Sequence, residues 1–195
     1  MLRFRRARGP LDLAVDMASV RMGERLLQVG VGDPRLFAVT ASKVGLTGRA
    51  VAVVDAPAAA AVLEAAAADE GVLVEVVVAE AGAWPVDAGS FDIVIVDANA
   101  VLAAAPDARV ARLTSAVRAL RPGGRLLAVL RRGRSLAVRL GFEPEHRPPT
   151  PEAATLVAAL AAAGCPAARV LAEREGLGFI EALRPGATAV HREST

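Results

Sequence analysis

Gly30-Val31-Gly32 ends the apolar run Leu26-Leu27-Gln28-Val29, and Asp33-Pro34 follows at once. Two glycines at this spacing let bare backbone approach a ligand. Asp then Pro reads as the cap and first residue of a helix whose unpaired N–H groups would face that ligand. A second apolar run stops at Asp55, 25 residues beyond Gly30. A carboxylate at such a strand end can accept hydrogen bonds from the hydroxyls of a ribose, or it can start the helix before Pro57. Asp97 ends a fourth run, where it would either stand beside a reacting centre or cap the next turn. His146 lies in a long irregular stretch and is a candidate general base or a solvent-exposed loop histidine. Asp97 and Asn99 offer two oxygen ligands, too few to argue for a metal.

The elements that must hold these residues alternate. Strands are expected at 26–30, 50–54, 73–78, 91–96, 124–130, 168–172 and 178–183. Runs such as Ile93-Val94-Ile95-Val96 are aliphatic throughout, as in strands covered on both faces. Helices are expected at about 11–21, from Pro34, from Pro57, from Pro106 to Pro122-Gly123, and from Thr150-Pro151-Glu152 to Gly164. In the fourth, Val110, Leu113, Val117 and Leu120 share a face. The pattern predicts an α/β, doubly wound, Rossmann-like three-layer sandwich, with ligands outside the carboxyl ends of the strands.

A single domain spanning 1–195 fits the length. It would carry a basic arm at 1–10, a substrate-side loop at 131–149 and a polar tail at 186–195. Five Phe, one Trp and no Tyr make the core aliphatic and leave little stacking surface for single-stranded nucleic acid. The net charge of +2 is too small for a nucleic-acid footprint. Cys165, alone in the chain, forms no internal disulfide, suits a buried structural thiol and fits a reducing, cytoplasmic setting. No stretch reads as a membrane span, and the arginines at 3, 5, 6 and 8 lack the apolar segment of a secretory signal. The Ala-rich helix from Pro57 can pack on the sheet or on a second subunit, as in a homodimer. Arg131, Arg132, Arg134 and Arg139 either form a solvated loop or favour an anionic substrate.

Taken in order, these segments resemble a class I S-adenosylmethionine-dependent methyltransferase of the small type 11 kind, over roughly 11–183. Gly30-Val31-Gly32 matches the first motif and Asp55 the ribose acid. Glu80-Ala81 through Trp84-Pro85 to Ser90-Phe91-Asp92 is similar to the "D-A…L-P…S-F-D" segment. Leu120 to Gly124 is similar to "L-x-P-G-G". Glu175-Gly176 and Phe179-Ile180-Glu181-Ala182 resemble the closing hairpin. The resemblance implies a seven-stranded, mainly parallel sheet with an antiparallel last strand. It also implies S-adenosyl-L-methionine as cofactor. Gly30 and Gly32 would approach the methionine part, Asp55 would hold the ribose, and Ala56 would lie against the adenine ring. Glu80 and the backbone at Ala81 would meet the adenine edge. Two departures stand out: Gln28 replaces the usual acid, and Asp33-Pro34 the usual third glycine. Asp33 could restore the charge that Gln28 lacks.

The implied function is methyl transfer to a small molecule, anionic if the arginines at 131–139 face it. The competing reading is a non-catalytic binding or partner subunit of the same fold. A nicotinamide oxidoreductase is disfavoured, because Arg35 stands where the third glycine of Gly-x-Gly-x-x-Gly would fall and the chain has no Tyr. No segment resembles Asn-Pro-Pro-Tyr, so methylation of DNA amino groups has no support.

Overall fold

The computed structural model describes residues 9–80, 84–132 and 150–186. The basic arm up to residue 8, Ala81, residues 133–149 with His146, and the tail from residue 187 lie outside the described residues. Seven strands form one sheet: β1 (Arg25–Val29), β2 (Arg49–Val54), β3 (Glu75–Val78), β4 (Phe91–Asp97), β5 (Leu120–Arg131), β6 (Arg169–Arg174) and β7 (Leu177–Leu183). Their order is β3-β2-β1-β4-β5-β7-β6. Neighbours from β3 to β5 pair in parallel, and β7 runs antiparallel to both β5 and β6. This is the expected Rossmann-like sheet.

Six helices cover the two faces: α1 (Pro10–Ala18), α2 (Pro34–Val44), α3 (Pro57–Glu70), α4 (Ala98–Ala103), α5 (Pro106–Ala119) and α6 (Pro151–Ala162). Strand residues alternate between the faces. Leu26, Ile93, Ile95 and Val129 pack beneath α1, α2 and α3. Leu27, Val94, Leu126 and Ala128 pack beneath α4, α5 and α6. Double coverage explains why these strands are aliphatic without polar alternation. In α3, Ala60, Leu63 and Ala67 are buried, so this Ala-rich helix packs its apolar stripe inward.

Several boundaries differ from expectation. The first helix stops at Ala18 because Ser19 turns left-handed (φ 48°) and its N–H closes on the Val15 carbonyl. β3 begins only at Glu75, where pairing with Val51 starts. β5 begins at Leu120, which pairs with Phe91. The register slips before Ile93, and that irregularity accommodates Pro122 within an extended run. The short α4 was not anticipated. Thr150 is the N-cap of α6 and its carbonyl accepts the Ala154 N–H, but its side chain does not bond the first turn: its N–H and hydroxyl both donate to Glu173 Oε1. The Glu175-Gly176 hairpin is a two-residue turn with positive φ at both positions (53° and 75°), the pattern of a type I′ connection. Cys165 is fully buried, and burial pushes its thiol above the usual range. No helix among the described residues is long and apolar enough to cross a membrane.

Candidate functional site

The sheet order reverses direction between β1 and β4, so a crevice opens at their carboxyl ends. The Gly30–Gly32 turn forms one lip. Gly30 and Gly32 have φ of 76° and 58°, a region where side chains are strained. A Cβ on Gly30 would stand 3.1 Å from Asp97 Cβ, and one on Gly32 would stand 3.2 Å from Gln28 Nε2. Backbone freedom and close packing therefore both require glycine here.

Asp97, at the end of β4, ties this lip to the other. Its Oδ2 accepts the Gly32 N–H at 3.1 Å. Its Oδ1 accepts the N–H groups of Asn99 at 3.1 Å and Ala100 at 3.5 Å, capping α4. The cap, the second of the two expected roles, is thus present, together with a tie to the glycine turn. Asp97 is 8% exposed and both its oxygens are engaged.

Arg131, the last residue of β5, reaches across to donate from Nη1 to the Gly32 carbonyl at 2.5 Å, with Nη2 3.9 Å from Asp97 Oδ2. Its backbone is fixed by Asn99, whose Oδ1 accepts the Arg131 N–H at 2.8 Å and whose Nδ2 donates to the Arg131 carbonyl at 2.9 Å. The sequence put Arg131 at the start of the loop at 131–149, as a solvated or a substrate-side residue; it is instead the last residue of β5, and the sequence gave no sign of this contact. Its neighbour Arg132 instead pairs with Glu173 at 3.1 Å.

Between the lips lies a cavity open to solvent, with about 440 Å³ of empty space when the solvent at its mouth is counted. Its walls are mostly apolar, with Leu11 and Ala14 from α1, Leu36 from α2, Ile95, Val129 and Leu177. Gln28, Gly32, Asp33, Asp97 and Arg131 supply the polar part. Gln28 is 2% exposed. Its Nε2 donates to the Gly30 carbonyl at 3.1 Å, while its Oε1 is buried without a partner. The Gly30 carbonyl can only accept, so the amide is oriented with its oxygen left over. That oxygen is enclosed in the wall and has no accessible surface of its own.

The helix N-terminus does not offer what the sequence suggested. Asp33 Oδ1 accepts from the N–H groups of Arg35 at 3.0 Å and Leu36 at 3.4 Å. The Phe37 N–H bonds the Asp33 carbonyl, and Pro34 has no N–H. The first turn of α2 is saturated by its own cap.

Asp55 follows β2, beside the glycine turn. Its side chain is 68% exposed, and Arg112 Nη2 from α5 stands 3.7 Å from Oδ2. It does not cap α3, because Ala56 holds that position. Arg112 carried no signal in the sequence. Glu80 is exposed just beyond β3, one strand further out. The fold thus brings Gln28, Gly30, Gly32, Asp33, Asp55, Ala56 and Glu80 to one edge, along the ends of three adjacent strands. Asp92, from the motif-like Ser90-Phe91-Asp92, sits instead at the opposite end of β4, bound to the Arg25 N–H at 2.8 Å and to Arg121 Nε at 2.6 Å.

Comparisons with known proteins bear on this arrangement. A solved S-adenosylmethionine-dependent methyltransferase from Aquifex aeolicus is similar, with a TM-score of 0.67 and 17% identity over 90% of this chain and 89% of that one. The YcgJ protein of Bacillus subtilis is similar at a TM-score of 0.62 and 16% identity, over 90% of this chain and 97% of that one. A cyclase, SpnF, has the same TM-score and identity over 90% of this chain and 80% of its own. At these identities the likeness is one of fold. No curated protein matches the chain by sequence. A family profile described as a methyltransferase domain matches residues 26–124, from the first residue of the Leu26 run to the end of Pro122-Gly123-Gly124. That match spans just over half of the sequence, and on it the chain belongs to the methyltransferase-domain family.

Proposed function

We propose that this chain binds S-adenosyl-L-methionine at the carboxyl ends of β1, β2 and β3 and transfers its methyl group to a small acceptor in the adjoining cavity. The observation that carries the reading is the combination of the glycine turn with an exposed Asp55 carboxylate on the neighbouring strand end, inside a family-matched segment. When bound, the cofactor would supply a methyl group already activated by its sulfonium.

The chain's own residues would do the rest. Gly30 and Gly32 would admit the cofactor against bare backbone. Asp55 would accept from the ribose hydroxyls, with Ala56 against the adenine and Glu80 and Ala81 at its edge. Gln28, in the wall beside the glycine turn, would stand where the usual acid meets the amino-acid tail. Asp33 adds negative charge nearby, since its capping bonds use Oδ1 alone. This supports the idea that Asp33 offsets the missing acid at position 28. The apolar walls would exclude water and align acceptor with methyl group, a positional contribution to the rate.

Asp97 is better suited to holding the crevice than to taking a proton, because both its oxygens already accept N–H groups. No His, Cys, Lys or Tyr lines the cavity among the described residues. The acceptor is then either a nucleophile that needs no base, such as a thiolate or carbanion, or one served by His146. A cytoplasmic setting with Cys165 reduced goes with this reading, and a homodimer would use the outer face of α3.

The second reading, a non-catalytic binding or partner subunit, is favoured by Gln28 in place of an acid and by the engaged Asp97. Thermal unfolding with S-adenosylmethionine, S-adenosylhomocysteine and NADH tests the cofactor. At about a hundred times its Kd, a ligand should add roughly 2.7 kcal/mol, which shifts Tm by about 5–10 °C in a chain of this size. The expected result is a shift with the two sulfur nucleotides, none with NADH, and loss of the shift in Asp55→Ala. Each charge-assisted bond is worth about 1.5–3 kcal/mol, so that variant should bind at least tenfold more weakly. A folded protein with no shift would sink the cofactor assignment. Cofactor binding without turnover across an acceptor screen would favour the non-catalytic reading.

A further inference from the structure

We propose that the outer edge of β3 takes the basic arm, residues 1–8, of a second copy of this chain as an added strand. The inference stands apart from the cofactor reading and gives the homodimer a specific contact beside α3. The sheet ends at β3 on one side and at β6 on the other, and the two edges are protected unequally. β6 carries Arg169, Glu173 and Arg174, and its register slips between Val170 and Ala172. Charges and bulges of this kind keep foreign strands off an edge. β3 is Glu75-Val76-Val77-Val78; it pairs with β2 in unbroken register, and its last three residues carry no charge. The Ala79 N–H bonds the Val54 carbonyl. Backbone groups alternate sides along a strand, so those of Val76 and Val78 point away from β2, toward the open edge. Leu73, just before β3, is 96% exposed and Val78 is 47% exposed.

Charge selects the occupant. Residues 57–79, which make α3 and β3, contain Glu64, Asp69, Glu70 and Glu75 and no Lys or Arg, in a chain of net charge +2. All four acids are exposed, and among the described residues only Glu75 has an ion-pair partner, Arg49. Two β3 edges laid together would bring like charges face to face, which disfavours edge-to-edge pairing. Met1-Leu2-Arg3-Phe4-Arg5-Arg6-Ala7-Arg8 holds only positive charge, and Leu2 and Phe4 alternate with Arg3 and Arg5 at the two-residue period of a strand. Added to the edge, such a segment gains main-chain hydrogen bonds. Its arginines would meet the acids, and Leu2 and Phe4 would cover Leu73 and Val78. The arm of the same chain does not reach. The arm leads into α1, which packs on β7, five places from β3 in the sheet order. Five strand spacings make about 24 Å, and residues 1–8 extend to roughly 26–29 Å, so almost none of the arm would be left to pair.

Sedimentation equilibrium of the full chain tests this. The wild type should self-associate, and raising salt from about 50 mM to about 500 mM should weaken the association about tenfold, because the charges are exposed to screening. Val78→Pro removes an outward N–H and leaves the β2 ladder intact, while Phe4→Asp spoils the arm. Each alone should weaken association about tenfold, and Leu73→Lys reads the same loss if the Pro variant does not fold. Mixed in equal amounts, Val78→Pro and Phe4→Asp should associate more tightly than either alone, because an intact arm then meets an intact edge. Wild-type association in Phe4→Asp would show edge-to-edge pairing, and in Val78→Pro a different surface; either result overturns the proposal. So would two weakened variants that fail to complement each other. A wild type that stays monomeric would remove the homodimer and this proposal together, while the thermal shifts with the sulfur nucleotides would still decide the cofactor reading.

Discussion

Two aspartates on the same strand, Asp92 near the start of β4 and Asp97 at its end, are built alike and serve differently. Each accepts a backbone N–H from the β1 side: Arg25 for Asp92 and Gly32 for Asp97. Each lies near an arginine from β5, Arg121 or Arg131. At the amino end the group is saturated by these contacts and closes the sheet. At the carboxyl end the neighbours are two left-handed glycines, an orphaned glutamine oxygen and an apolar cavity. The same carboxylate–arginine chemistry is a staple where the backbone continues as strand. It becomes the rim of a site where the backbone turns away and leaves space.

The comparison can be broken most sharply at Asp97. Asp97→Ala frees the part-buried Gly32 N–H and uncaps α4, which should cost about 2–3 kcal/mol, combining a lost charge-assisted hydrogen bond with a lost cap. Tm should fall by about 5–10 °C, and S-adenosylhomocysteine should bind more weakly because the glycine turn is no longer held. Asp92→Ala should cost less, about 1–2 kcal/mol, and leave that affinity unchanged. Loss of ligand binding in the Asp92 variant would show that the two ends are not independent.

A pH series sharpens the point. Burial pushes the Asp92 carboxyl up, but the Arg25 N–H and the Arg121 guanidinium outweigh it and hold the group below the ordinary range. The unfolded group titrates near 3.9. The ionised staple thus stabilises the fold fully above that value, and the contribution is lost as pH falls through the lower folded pKa. Urea midpoints measured from pH 5 to pH 2 should drop less in Asp92→Asn than in the wild type. Equal slopes would remove Asp92 from the acid limb. The smallest effect is expected at the edge strand. Arg49 and Glu75 pair at 2.6 Å but are 45% and 52% exposed, so Glu75→Gln should change stability by less than about 0.5 kcal/mol.

Much of this architecture was legible in the chain. Aliphatic runs marked the buried strands, and Pro34, Pro57, Pro106 and Pro151 marked helix starts, because these signals are local and act within one turn. α4 escaped because six residues are too few for a periodic pattern, although capping of the next turn was one of the two roles expected of Asp97. Asp33 was read correctly as a cap, yet the consequence was missed: a cap that satisfies the first turn also removes it as an anion site.

The sequence by itself determined the order of elements, the glycine turn and the acid after β2, since each follows from neighbouring residues and their backbone preferences. Only the tertiary structure decided what faces what. Gly32 meets Asp97 across 65 positions and Arg131 across 99. Arg112 reaches Asp55 from the far side of the sheet's reversal. Those meetings depend on the sheet order, on strand register and on which face each side chain takes, quantities that no local pattern encodes. They also decide which of the polar groups around the crevice remain free to bind.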